Sequence, residues 1–497
     1  MVTAGGTTVT IGPEYRQYAV LRVTAQKLEP LRSFALFEIF TRGLLKMMGV
    51  PDTSALLRPG AFRVVSVPLL DWKWEIVGLD DTPPGPDEVI ISYAFTNPDL
   101  LLEFRDLFLK YQDQSLDGVM LLGIGADVGG DRADHWCPGT ATEAMFGDRK
   151  AADRVLNFDV LDQNGLRGQH VNVVIIDEGL DRNAIPAANW GGGLGFLGPP
   201  PALPGSAPRT SHGMLTASNV LHIAPDAVLY DVPLIPRRIS NVPVFASDAQ
   251  AVYALILILI EFLRLLPNPR WHGPWILVNG WAIFDRRSEL PLGDYTENTH
   301  PLGHPYNNIV RTVAQNNIDI VFAAGNCGQF CPSLRCGKLD RGPGHSIWGA
   351  NAHFAVITVG AVRTDELWLG NSSQGPGPNL LRAPGQLTPN RKPDFCAPSQ
   401  FKESTDAYVE GRLKDILPMP HPRTNTGTST SCALSAGVVA ALRSNPNWNQ
   451  ATVTPDALKQ RLIATTHQTK GPNWNDRLGW GVLDAGAAFN RLRMDFP

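Results

Sequence analysis

No excess of charge of either sign marks this 497-residue chain: 43 Lys and Arg stand against 47 Asp and Glu, a net charge of −4. That balance lacks the broad basic field which phosphate backbones require, and no nucleic acid partner is expected. Long hydrophobic runs are also scarce. The longest, AVYALILILIEFLRLL (251–266), is broken by Glu261 and Arg264 and is too short before Glu261 to span a bilayer, so it is expected to be a buried helix packed on a sheet, with no membrane partner. The first residues, MVTAGGTTVTIGPEYRQYAV, lack the basic stretch and apolar core of a secretory signal. A cytoplasmic location is therefore expected, with secretion after processing as the alternative.

Cysteine is sparse, six in all, and lacks metal-site spacing. Cys327, Cys331 and Cys336 run as C-x3-C-x4-C, without the paired C-x2-C of a zinc site, and one disulfide among the three is expected. Cys432 reads as a small buried hydrophobe. His300, His304 and Asp294 are scattered through a polar loop and read as solvated, so neither a metal nor a cofactor is expected. What remains is ordinary globular material, 43% hydrophobic and 18% charged, in a length that suggests two or three domains.

Four segments carry chemistry. TNTGTSTSCALSAGVVAAL (424–442) runs from small hydroxyl residues into an alanine-rich helix, placing Ser429 near free N–H groups and the positive end of a helix dipole. Alone, this reads first as an ordinary N-cap. GQHVNVVIIDEGLDRNAIP (168–186) is a β-branched run ending in Asp177, a buried strand with an acid at its C-terminal tip or a turn aspartate. His212, in RTSHGMLTASNVLHIAPDAVLYDVPLI (209–235), opens a helix before the next strand, as a base or as a cap. NNIDIVFAAGNCG (316–328) is a strand ending at Asn326, whose amide would suit an oxyanion; Ala323, Ala324 and Gly325 before it would leave room for a substrate side chain.

Together, IIDEGLD, SHG, AAGN and GTSxxxxxxAG, in the order Asp, His, Asn, Ser, resemble the subtilisin-like serine proteases (subtilases, peptidase S8 type) over residues 166–497. VITVGAV (356–362), NSSQGPGP (371–378), KPDFCAPS (392–399) and GWGVLDAGAAF (479–489) extend the likeness. The resemblance implies a doubly wound parallel sheet flanked by helices. It also implies a triad in which Ser429 is the nucleophile, His212 the base and Asp177 its orienting acid, with Asn326 in the oxyanion hole. Protein or peptide would be the substrate. Calcium is common in such enzymes, but no acidic loop here matches a site.

Departures are local. Glu178 follows the aspartate where the family has a small hydroxyl residue; it is read as a solvated carboxylate, although turned inward it would raise the basicity of His212. Met214 and Leu215 read as packing changes, and Ala433 replaces a proline, so the nucleophile helix lacks an early kink. In GPWILVNGWAIFD (273–285), which resembles one side of the substrate cleft, Asn279 keeps the family asparagine. Trp281 replaces a serine there, either as a cleft wall or as core. Long inserts at 284–309, 327–348 and 374–391 are expected to select substrate.

Residues 1–130 match none of these motifs. Their pattern predicts strands at 18–25, 61–70, 71–79, 87–95 and 117–128 with helices at 29–48 and 98–112; dropping one middle strand leaves βαββαβ, a ferredoxin-like α+β plan. The resemblance to subtilisin-like enzymes implies a prodomain that acts as an intramolecular inhibitor; an attached recognition or regulatory domain is the alternative. Residues 131–165 are polar and read as the linker, and 166–497 as the catalytic domain. The expected activity is endopeptidase action; transfer of the acyl group to an amine and a catalytically silent peptide-binding cleft are the rivals.

Overall fold

The computed structural model describes residues 2–4, 7–9, 17–24, 34–66, 88–96, 100–101, 103–104, 107–108, 119–126, 134–137, 145–195, 203–209, 211–235, 242–287, 289–333, 335–337, 339–403, 424–467 and 473–497. Contacts divide the chain into two units, 1–130 with 137–144 and 131–136 with 145–497.

In the first unit an antiparallel sheet has the order Phe62–Ser66, Glu88–Phe95, Gln17–Thr24, Val119–Ala126. The helix Phe34–Met47 follows the first of these strands in the chain, and helical residues between 100 and 108 precede the last. This is the ferredoxin-like arrangement. The strand predicted at 71–79 lies outside the described residues. Aromatic rings fill this sheet's core: Phe104 lies 5.1 Å from Phe95 and 4.6 Å from Phe108. Buried Tyr93 shares a 2.6 Å hydrogen bond with Thr41, which satisfies its hydroxyl.

The second unit is built on seven parallel strands. Their spatial order is Phe395–Pro398, Ile357–Val362, Asp319–Ala323, Trp275–Asn279, Asn172–Ile176, Val228–Val232 and Trp190–Gly193. Near-continuous apolar strands are needed because both faces are covered. Val173, Ile175, Ile276 and Val278 face one core with helices His212–Ile223 and Gly427–Arg443, while Val174, Ile176 and Leu277 face the other with helices Val242–Arg264 and Pro305–Gln315. The first two helices meet closely at Gly437, where a Cβ would stand 2.9 Å from Ile223 Cβ.

Two expectations change. The apolar helix Val242–Arg264 is buried on one face only: Ala249, Val252, Ile256 and Ile260 enter the core, whereas Leu255, Ile258, Leu259 and Phe262 are exposed. By length and composition alone its stretch Ala246–Arg264 is apolar enough to cross a membrane. The supposed linker also holds structure. Helices Arg149–Leu156 and Asp159–Gln163 bury Ala152, Leu156 and Leu161 in the core of the second unit, because a few apolar residues at helical spacing suffice for docking within a polar stretch.

Candidate active site

The strand Asn172–Ile176 leads into Asp177, and its neighbour Trp275–Asn279, with Asn279 opposite Ile176, leads into Gly280. The two residues therefore come together at the carboxyl edge of the sheet. Strand order runs outward from this pair in opposite senses, the point where open α/β sheets form a crevice.

His212 is set by its helix start. Ser211 caps the helix by accepting from Met214 N at 3.2 Å, and its hydroxyl donates to Gly179 O at 2.8 Å. Gly213 permits this approach, since a Cβ there would lie 2.4 Å from the same carbonyl. The result is a 2.7 Å bond between His212 Nδ1 and Asp177 Oδ1. Asp177 accepts two more donors, Glu178 N at 2.8 Å on Oδ1 and the Thr216 hydroxyl at 3.0 Å on Oδ2. The acid is 2% exposed and the imidazole 34%, so one end of the pair is dry and the other open.

Glu178 is not the solvated carboxylate expected beyond the strand tip. Its Oε2 accepts the His212 backbone N–H at 3.1 Å, which holds the negative charge beside the ring. Partial burial is the largest influence on His212 and opposes its charge; the charge and hydrogen bond of Asp177, with the charge of Glu178, outweigh it. Arg335 pulls weakly the other way, and the net pKa lies above the usual 6.5.

Ser429 is not a cap. It is the third residue of the helix Gly427–Arg443, whose cap, Thr426, makes no side-chain capping bond, so first-turn N–H groups are left for other partners. Thr428 N donates to Asn326 Oδ1 at 2.9 Å, and the Thr428 hydroxyl lies 3.0 Å from the same oxygen. These donors fix the amide so that Nδ2 is its other end. Gly427, at φ +69°, makes room for it, since a Cβ would stand 3.0 Å from Nδ2. The Ser429 hydroxyl donates to Gly280 O at 2.6 Å. Gly280 thus joins the two halves: an added Cβ would lie 3.1 Å from both Asp177 Oδ2 and His212 Cε1.

The other named residues are placed differently. Asn279 is fully buried, accepting from Tyr253 OH at 2.7 Å and donating to Val321 O at 3.3 Å. Trp281 packs in the core against Phe322, 5.1 Å edge-on, and Tyr306, 6.4 Å in parallel. Ala323 and Ala324 are buried, and a Cβ on Gly325 would stand 3.1 Å from Ala282 Cβ, so the small residues serve close packing. Gly280 and Thr216 escaped the sequence reading. Thr216 lies one turn after His212 on the same helix face, a spacing that could have signalled it.

The inserts are built rather than loose. Buried Glu289 accepts Thr296 N at 2.8 Å and Gly293 N at 3.1 Å, while Arg286 pairs with Asp340 at 2.6 Å and lies 3.7 Å over the Trp348 ring. His304 caps the helix Pro305–Gln315 and stands 4.0 Å from Asp294. Among the described residues no group of three His, Cys, Asp or Glu is placed to hold a metal. Cys327 is bonded to Cys336, and Cys331 and Cys137 are also in disulfides. Cys432 is fully buried, which pushes its thiol pKa up, and it rests 3.6 Å from Asn279 O.

The sequence model described as "Subtilase family" matches residues 206–481, more than half of the chain. The chain belongs to the subtilase family. It is a serine-type peptidase acting on peptide or protein substrates. Among curated proteins nothing matches the chain. Solved structures similar to this subtilase include MycP1 with its N-terminal propeptide removed, at 19% identity and TM-score 0.47 over 68% of this chain and 96% of that one. A lanthipeptide protease has 16% identity and TM-score 0.47, over 69% and 95%. The prenylagaramide maturation protease PagA has 16% and 0.44, over 68% and 98%.

Proposed function

We propose that the chain is an endopeptidase in which Ser429 attacks the scissile carbonyl, His212 takes its proton and returns it to the leaving amine, and Asp177 holds the imidazole tautomer. The observation carrying this reading is the 2.7 Å Asp177–His212 bond meeting the Ser429 helix start at Gly280. In the resting state the hydroxyl is parked on Gly280 O. Turning it toward His212 Nε2 begins the reaction. Asn326 Nδ2 and the Ser429 N–H then receive the oxyanion. Both are donors aimed from rigid elements, so little reorganisation is needed as charge develops.

The N-terminal unit restrains the enzyme in this reading, because a small ferredoxin-like domain preceding a subtilase domain suits an intramolecular inhibitor. Of the two locations left open by the first residues, the bonded cysteines favour an oxidising compartment.

A fluorophosphonate probe tests the nucleophile: Ser429 should label in the full chain or after limited proteolysis, and Ser429→Ala should not. No labelling in either form sinks the reading. Mass spectrometry tests the restraint. Loss of roughly 15 kDa from wild type but not from Ser429→Ala indicates a self-cleaved prodomain; an intact, labelling wild type indicates an attached domain.

A further inference from the structure

The loop after Asn326 carries a cation that the triad chemistry does not use. The Cys327–Cys336 disulfide closes it, and Ser333 N donates back to the Asn326 carbonyl at 2.7 Å. Arg335 immediately precedes Cys336. On its other side Gly337 N donates to Phe284 O at 2.8 Å, and the Arg335 guanidinium carbon lies 3.9 Å over the Phe284 ring. Flanking backbone is thus tied to the candidate oxyanion residue, and the side chain is laid flat on an aromatic face. Both restraints lower the entropy lost when the guanidinium binds something.

Arg335 is exposed, and among the described residues it has no carboxylate partner. Arg286, on the neighbouring insert, differs in being paired with both Asp340 and Glu297. Desolvation by the groups crowded around it lowers the Arg335 pKa to about 10, against the charge of Glu178, so it remains a cation at neutral pH. Its charge reaches His212, which places it within the field of the active site. Glu178 itself is engaged with the His212 N–H. A stacked guanidinium with its donors open matches a carboxylate, which it can take in two parallel hydrogen bonds.

We propose that Arg335 is a specificity-determining residue that receives a carboxylate of the peptide substrate beside the scissile bond. This rests on the endopeptidase reading above. The carboxylate is supplied either by an Asp or Glu side chain or by a free C-terminus.

Matched peptides separate these sources: Asp or Glu against Asn or Gln at each position near the cleavage site, and free against amidated C-termini. For wild type, kcat/KM should favour one acidic arm at least tenfold, and the preference should shrink as salt rises. The ratio should fall toward one in Arg335→Gln and turn toward Lys peptides in Arg335→Glu. Comparing two peptides on one enzyme cancels any general loss of activity. A wild-type ratio near one, or a ratio unmoved by Arg335→Gln, overturns the proposal. Titrating the same peptides into Ser429→Ala, with and without Arg335→Gln, separates it from the catalytic reading. Arg335-dependent acid preference in binding without wild-type turnover supports Arg335 and removes the peptidase mechanism; turnover without preference removes Arg335 alone.

Discussion

Gly280 lies so close to Asp177 that one added carbon would stand 3.1 Å from the Asp177 Oδ2 oxygen. The same carbon would meet His212 Cε1 at 3.1 Å, while the carbonyl of Gly280 holds the Ser429 hydroxyl at 2.6 Å. One residue without a side chain thus spaces all three catalytic candidates.

Gly280→Ala should therefore push Asp177 and His212 by a few tenths of an ångström while leaving the sheet folded. We expect kcat/KM to fall by about tenfold to a hundredfold, since displacements of that order matter at a reacting centre. The melting temperature measured beside the kinetics distinguishes this from unfolding. Full activity in a folded variant would show that the site tolerates the carbon.

Asn326→Ala removes the amide held by Thr428. Loss of one oxyanion donor is worth about 10² to 10³ in kcat, with little change in KM. The lost Thr428 bond adds about 1 kcal/mol of destabilisation, visible in chemical denaturation. Undiminished kcat would remove Asn326 from the oxyanion hole.

His212 must be neutral to act as base, so activity should rise with pH through its elevated pKa. The charge of Glu178 is one of the groups that raise it. Glu178→Gln should move the acidic limb of the kcat/KM profile to lower pH. An unmoved limb would mean that the carboxylate is not felt by the ring.

Asp231 gives a stability test away from the chemistry. Its Oδ2 accepts Gly205 N at 2.7 Å and Leu180 N at 3.1 Å, but Oδ1 is buried without a partner among the described residues. Burial, the largest cause, raises its pKa from 3.8 to about 6. A carboxyl with a folded pKa above its unfolded one stabilises fully below about pH 4, and that contribution is lost as pH rises through about 6. Asp231→Asn, a mimic of the protonated form, should raise stability at pH 8 by about 1 kcal/mol after the cost of its unpaired amide. The gain should vanish near pH 4. Equal effects at both pH values would contradict the shift.

Much of this site was readable because its residues sit at the ends of strongly patterned elements. The run VNVVII has no alternation because both faces of a parallel sheet are covered, and that places Asp177 at the tip. Asn326, at the exit of another such strand, was legible in the same way. The alanine-rich helix after Ser429 is equally plain, although by local pattern Ser429 itself suits a cap. It is the third residue of the helix, since the turn begins at Gly427 after the cap Thr426.

Other features depended on partners distant in sequence. The sequence around Trp281 suits a cleft wall as well as core, and only its packing against Tyr306 and Phe322 decides for core. Glu178 looked solvated because its acceptor role needs an N–H 34 residues away, and the burial of Asn279 depends on Tyr253 from the crossing helix.

Local periodicity and turn residues were enough to set the strands, the helices and the order Asp, His, Asn, Ser, because these follow from how each segment hides its apolar side. Which atoms meet was left to the tertiary structure. The register of Asn279 opposite Ile176 puts Gly280 next to Asp177, and the ring closed by Cys327 and Cys336 lays Arg335 on Phe284. Strand register and loop closure join residues about 50 to 150 positions apart, and no pattern within one segment encodes them.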